Sequence, residues 1–309
     1  MAAMGRAVVL IALVLPAIAG AEGEAPEPVW VKAVTATSVY ADKHDAYAPW
    51  LTVAPRITYV EKTNEVRFDS AWCEGKPDEG IGEGVTITFV RPTPIDKVTI
   101  KAGVWRTQKL FDTNNVITGL ELVTSDGRTI AASPPPRRDN VVVSLGGAPI
   151  DTLKVKITGV KKGKANDSCL TEIALGEPSE GSDGAPVLVG FDRAAAESYA
   201  DARDAILRGL SAHCDAAMMA KYADFPFPVV WVENTHGTAG FVRHPMSFKS
   251  AADFHKRCPE AGLPGPTDRF AGISSSQPGR LTVAYETADS HQHLRLAWLG
   301  NRWHLVGVD

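Results

Sequence analysis

The chain has 309 residues, is 44% hydrophobic and 22% charged, and carries a formal net charge of −4. That composition is ordinary for a globular protein with a proper core, and the length suggests about two domains. So mild a charge balance gives no electrostatic case for DNA, RNA or an anionic membrane surface, which argues against nucleic acid as a partner.

Residues 1–21 read as a secretory signal peptide, with Arg6 as the positive charge, an apolar core over 7–18, and small residues Ala17, Ala19 and Ala21 for cleavage. The apolar run is short for a membrane span. The mature protein is therefore expected to be secreted or periplasmic, and not integral to a membrane; the competing reading is an uncleaved N-terminal anchor. Cys73, Cys169, Cys214 and Cys258 are an even set without any C-x-x-C spacing, which favours disulfides over a metal site in an oxidising compartment. Three pairings can be written. The cysteines divide two and two across the expected domain boundary, which favours Cys73–Cys169 and Cys214–Cys258.

Residues 33–176 read as all-β. Val85, Ile87 and Phe89 alternate with threonines, and Val98/Ile100, Leu120/Leu122 and Leu153/Val155/Ile157 repeat the period of a half-buried strand. Ser125-Asp126-Gly127, Pro134-Pro135-Pro136 and Gly146-Gly147 supply turns between them. Short strands at this spacing predict a jelly-roll sandwich. Residues 177–186 are polar, contain Gly and Ser and lack periodicity, as a linker does.

Residues 187–309 form the second expected domain, of α+β type. Asp192 can cap a helix over 193–210, a second helix is predicted over 212–222, and strands over 229–233 and 240–245. A short helix is expected over 250–257. The chain ends in a hairpin in which Leu294, Leu296 and Trp298 run out, Gly300-Asn301 turns, and Trp303 and Leu305 return. A two-residue turn places Trp298 opposite Trp303.

Three motifs carry a family resemblance. They are Ala71-Trp72-Cys73-Glu74-Gly75 with Gly80-Ile81-Gly82-Glu83; then Gly103-Val104-Trp105 with Phe111 and Asn114-Asn115; then Asp167-Ser168-Cys169-Leu170-Thr171-Glu172-Ile173. In this order they resemble the discoidin-like (F5/8 type C) domain, most closely the glycan-binding domain attached to bacterial NAD glycohydrolases. The resemblance implies a sandwich that binds a ligand at its loop end. It departs from the family where Val116 follows the double Asn, a place often held by arginine. No NAD glycohydrolase catalytic domain follows, so that activity is not implied. More weakly, residues 187–309 resemble an NTF2-like cone with a curved antiparallel sheet.

The residue chemistry suits a sugar. Trp72 and Trp105 can stack on the apolar face of a saccharide ring, and Glu74, Arg106, Asn114, Asn115 and Asp167 can meet its hydroxyls. Each also has a structural reading: Trp72 as the plug of the sandwich, Asn114-Asn115 as a turn, Glu172 as a buried acceptor. Three other chemistries rank lower. Glu74, Asp78, Glu79, Glu83 and Asp167 offer oxygens for calcium but lack an EF-hand spacing. His291 and His293 share one strand face, with His304 on the next strand, yet lack a completing carboxylate. Ser274-Ser275-Ser276, His244 and Asp253 lack a nucleophile elbow. Asn166-Asp167-Ser168 matches a glycosylation sequon, relevant in a eukaryotic secretory route alone. The expected function is an exported, non-catalytic protein that binds a glycan or another envelope ligand, with no cofactor and no metal. The alternatives are an enzyme with its chemistry in the second domain, or an interaction scaffold.

Overall fold

The computed structural model describes residues 27–43, 45–60, 65–176, 184–211, 214–234, 241–258, 263, 268–286 and 291–308. The expected signal peptide, most of the linker and the side chain of His244 lie outside the described residues.

The first part of the chain contains β1 (Val29–Ala36), β2 (Ile57–Val60), β3 (Glu65–Phe68), β4 (Trp72–Cys73), β5 (Gly84–Pro94) and β6 (Lys97–Ala102). The short helix α1 (Gln108–Thr113) follows, then β7 (Val116–Thr124), β8 (Thr129–Ala132), β9 (Val141–Ser144), β10 (Pro149–Lys161), β11 (Cys169–Leu175) and β12 (Val187–Val189). Two sheets face each other, in the orders β12-β1-β5-β10-β7-β8 and β4-β11-β6-β9. The alternating residues do what their period predicts: Val85, Ile87, Val98, Ile100, Leu122, Leu153, Val155 and Ile157 are all fully enclosed between the sheets. This is an all-β sandwich. β2 and β3 form a separate hairpin outside both sheets.

Cys73 and Cys169 are register partners on β4 and β11 and are joined by a disulfide. Cys214 is joined to Cys258 in the second part. Both expected bridges are present.

The second part contains α2 (Arg193–Ser211), α3 (Ala216–Tyr222), β13 (Phe227–Asn234), β14 (Phe241–Phe248), α4 (Ala251–Arg257), β15 (Arg269–Gln277), β16 (Arg280–Glu286), β17 (His291–Leu299) and β18 (Arg302–Val308). Asp192 accepts from the Ala195 N–H at 2.8 Å and opens α2; Ser250 accepts from the Asp253 N–H at 3.1 Å and opens α4. The second helix begins later than its apolar pattern suggests, because Asp215 caps the N–H groups of Ala217 and Met218 and Cys214 before it has a left-handed φ of 52°. The sheet order is β14-β13-β18-β17-β16-β15. It is mixed rather than wholly antiparallel, since β13 lies parallel to β18 at Val229 and Val308. At the terminal hairpin, Gly300 and Asn301 have φ of 55° and 60°, the two positive values of a tight primed turn, and Trp298 does face Trp303, with ring centroids 5.4 Å apart.

The two parts share a core. Trp30 on β1 packs edge-on against Phe191, Tyr199 and Trp303, with centroids 5.4, 5.5 and 6.4 Å away. Residues 187–189, which sequence position groups with the second part, pair instead with β1 as β12. From there Val189 accepts from the Gly279 N–H at 2.8 Å and donates its own N–H to Ser275 Oγ at 2.8 Å. Two hydrogen bonds thus tie β12 of the sandwich to the β15–β16 hairpin of the second part.

Candidate ligand-binding site

The disulfide end of the sandwich gathers all three resemblance motifs. Trp72 is fully enclosed, and its indole N–H donates to the Ser38 carbonyl at 2.9 Å. Glu74 is enclosed as well, taking N–H bonds from Lys76 at 2.6 Å and Ser168 at 3.4 Å. Burial pushes the Glu74 carboxyl above the usual carboxylate range, against the pull of those two bonds, and burial also raises Asp167. Asn114 ends α1 by donating to the Leu110 carbonyl at 2.7 Å. Asn115 accepts from the Gly163 N–H at 2.8 Å and donates to Ser168 Oγ at 3.2 Å. Four of the six residues singled out for ligand contact, Trp72, Glu74, Asn114 and Asn115, therefore face inward and hold the loops to one another.

Trp105 and Arg106 lie elsewhere. Gly103, at φ 93°, turns the chain out of β6; a Cβ there would sit 2.7 Å from the Phe111 ring, so the turn needs glycine. The Trp105 backbone N–H is fixed by Thr171 Oγ at 3.0 Å and its indole N–H by the Ala102 carbonyl at 2.9 Å. The ring is half-buried, and the Arg106 side chain beside it is 57% exposed. The sequence motif therefore brings Trp105 and Arg106 together at the surface while the other four residues support them.

Several neighbours of this ring were not legible in the sequence. Phe68 meets Trp105 edge-on at 6.4 Å, and the enclosed Lys101 ammonium lies 4.9 Å from the Phe68 ring and 5.6 Å from the Trp105 ring. Lys101 is paired with the buried Glu172 carboxylate. Arg138, from the loop after Pro134-Pro135-Pro136, lays its guanidinium 5.5 Å from the Trp105 ring. Asp69 takes bonds from Thr58 and from Arg67 Nε at 2.8 Å, with Arg106 Nε farther off at 3.7 Å. The hairpin adds an apolar flank: cross-strand pairing puts Ile57 with Phe68 and Tyr59 with Val66, and Ile57, Tyr59 and Val66 are 50, 57 and 54% exposed. The only sequence signal for Arg138 was a proline run, which reads as a turn.

Several residues weighed for other chemistries have structural partners, while the side chains of His244 and His291 lie outside the described residues. Asp78 accepts from the Gly80 N–H, Glu79 pairs with Lys162, and Glu83 accepts from Thr37 and Ser38. Ser275 accepts from Val189 across the seam, and Asp253 accepts from the Lys249 N–H. His304 is buried with Nδ1 2.9 Å from Asp224 and Nε2 accepting from Arg302 Nε at 2.9 Å. A wide groove of about 680 Å³ opens between α2, α3 and α4, lined by Arg208, Met218, Lys221, Tyr222 and His255. Its Asp215 is spent on the α3 cap, and its His255 Nδ1 lies 2.9 Å from the Cys214 carbonyl.

Comparison with known proteins agrees on the first domain. Residues 44–176, a little under half of the chain, match the family model of the NAD glycohydrolase translocation F5/8 type C domain. Among solved structures, the chain is similar to a family 32 carbohydrate-binding module of NanJ from Clostridium perfringens, determined with galactose, at 12% identity and TM-score 0.32, over 46% of this chain and 91% of that one. It is similar to an F5/8 type C domain from Bacteroides fragilis at 11% identity and TM-score 0.33, over 48% and 97%. It is also similar to the arabinofuranosyltransferase AftD from Mycobacteria at 16% identity and TM-score 0.33, spanning 46% of this chain but 11% of that much longer one. No curated protein matches the chain.

Proposed function

We propose that this chain is an exported binding protein, without catalysis, that holds a carbohydrate or another envelope or extracellular ligand on the Trp105 face of its discoidin-like domain. The observation that carries the reading is a half-buried tryptophan, held by its indole N–H and its backbone N–H, beside the exposed Arg106 and the apolar flank of the hairpin. A fixed aromatic ring gives a sugar its stacking surface at low entropic cost, and neighbouring guanidinium groups give its hydroxyls donors. The F5/8 type C match over residues 44–176 supports the scaffold. Export is supported by the leader-like residues 1–21 and by the two disulfides, which belong to oxidising compartments. Among the described residues no helix is long and apolar enough to cross a membrane.

The second part fits an NTF2-like reading: two helices, a hairpin, a helix and a four-stranded meander curl around a core. That core is lined by Ile206, Leu210, Phe227, Phe248, Phe254 and Leu294. The titratable groups within it include Tyr199 and Tyr285, whose phenols burial holds protonated, Tyr285 being pushed up to about 12.

The test is a glycan array probed with the full-length mature chain and with Trp105→Ala. Binding to a defined saccharide set that disappears in the variant is expected. Silence across the array, or an unchanged pattern in Trp105→Ala, would remove the reading or its site.

A further inference from the structure

The charges around Trp105 are not balanced. Lys101 is neutralised by Glu172 beneath the ring, and Asp69 is engaged by Arg67 at 2.8 Å. Two further guanidinium groups lie close by, Arg138 over the indole and Arg106 next to it in the chain. Arg106 approaches Asp69 no closer than 3.7 Å and is 57% exposed. Arg138 stacks over the ring, and its Nε is enclosed with no hydrogen-bond partner among the described residues. Both stand out on a chain whose net charge is −4.

An enclosed N–H without an acceptor is unfavourable, so a guanidinium that swings off the ring to meet an acidic group gains a bond it lacks in this structure. Guanidinium is the side chain matched to a planar anionic group, because Nε–H and a terminal N–H form a two-pronged bond to a carboxylate. The loop presenting Arg138 follows three consecutive prolines, each with its φ fixed, so little ordering is lost when a ligand binds.

We propose that the Trp105 face selects an anionic saccharide, one bearing a ring carboxylate or sulfate, held between Arg106 and Arg138. This rests on the glycan reading above and names its ligand class. The sugar ring takes the indole face and moves the Arg138 guanidinium sideways. The acidic substituent then accepts from the Arg138 Nε–H and a terminal N–H, while Arg106 closes the other side. Asp69, tied to Thr58 and Arg67, sets a penalty against a second acidic group placed on the hairpin side.

The experiment measures binding of the full-length mature chain to three oligosaccharide sets of matched length: uronic acids, sulfated sugars and neutral sugars. At least one acidic set is expected to bind about tenfold or more tightly than the neutral set, and to weaken as salt rises. The acidic set that binds identifies the anion. Arg106→Gln and Arg138→Gln should each weaken that binding about tenfold, while Arg138→Lys keeps part of it. Melting temperatures establish that each variant is folded. Equal binding of acidic and neutral sugars overturns the charge selection but leaves the glycan reading standing. Acidic binding untouched in both Gln variants also overturns it. No binding to any set removes both.

Discussion

Two tryptophan-centred clusters, at opposite parts of the sandwich, use the same side chains for different ends. At the seam, Trp30 is 5% exposed and meets Phe191, Tyr199 and Trp303, with the Trp303 indole N–H donating to the Ala195 carbonyl at 3.2 Å. At the loop end, Trp105 is half-buried and meets Phe68, Lys101 and Arg138. The seam is ring against ring, with all four rings enclosed by the fold. The loop end is ring against cation with one donor left over. Aromatic groups packed among aromatic groups glue two parts of a fold; an aromatic group beside an exposed guanidinium and a donor without an acceptor is positioned to receive something.

That contrast can be broken by substitution. Trp30→Ala empties a site enclosed by both parts and should cost about 3–5 kcal/mol in denaturant unfolding. It should also uncouple the two parts, giving two transitions in place of one. A single transition at nearly unchanged midpoint would deny the shared core. Replacing Cys73 and Cys169 together by serine should cost about 2–4 kcal/mol, since the bridge closes a long loop, and the loss should lower the midpoint of the single transition. Trp105→Ala removes a half-exposed ring whose backbone bond stays, so its cost should be about 1–2 kcal/mol. A loss as large as that of Trp30 would make Trp105 a core residue and weaken its binding role.

The smallest expected effect is electrostatic. The Thr58 hydrogen bond, aided by Arg67 and Arg106 against a burial cost, holds the Asp69 carboxyl below its ordinary 3.8. A lowered folded-state value stabilises the ionised form. That contribution is fully present above the ordinary value and is lost as pH falls through the lowered one. Asp69→Asn should therefore cost under about 1 kcal/mol at neutral pH and flatten the acid limb of the stability curve below that ordinary value. An acid limb identical to the parent's would show that the Asp69 pairs contribute nothing.

How much of this was legible in the sequence follows from the range of each signal. Strand alternation is local, so the cores around Val85, Ile87 and Leu122 were readable, as were the cap Asp192 and the facing pair Trp298/Trp303. Contacts set by distant chain were not. Glu74 and Asn115 have the chemistry of ligand contacts, and only their bonds to Ser168 reveal that they bind the protein's own backbone and side chains. Trp30 lies before the first strand that alternation marks, and its partners arrive more than 150 residues later. Arg138 follows a proline run that signals a turn but not what the turn carries. The motifs identified the scaffold through residues that support it, while the proposed binding face adds to Trp105 residues from between the motifs.

The most direct test is hydrogen exchange of the full-length mature chain with and without the best saccharide from the array. The account predicts slowed exchange at three places, the hairpin around 57–69, the turn around 103–110 and the loop around 134–140, with the seam and the groove between α2 and α3 unchanged. Protection confined to α2, α3 and α4 would contradict it and move the binding site to the second part of the chain.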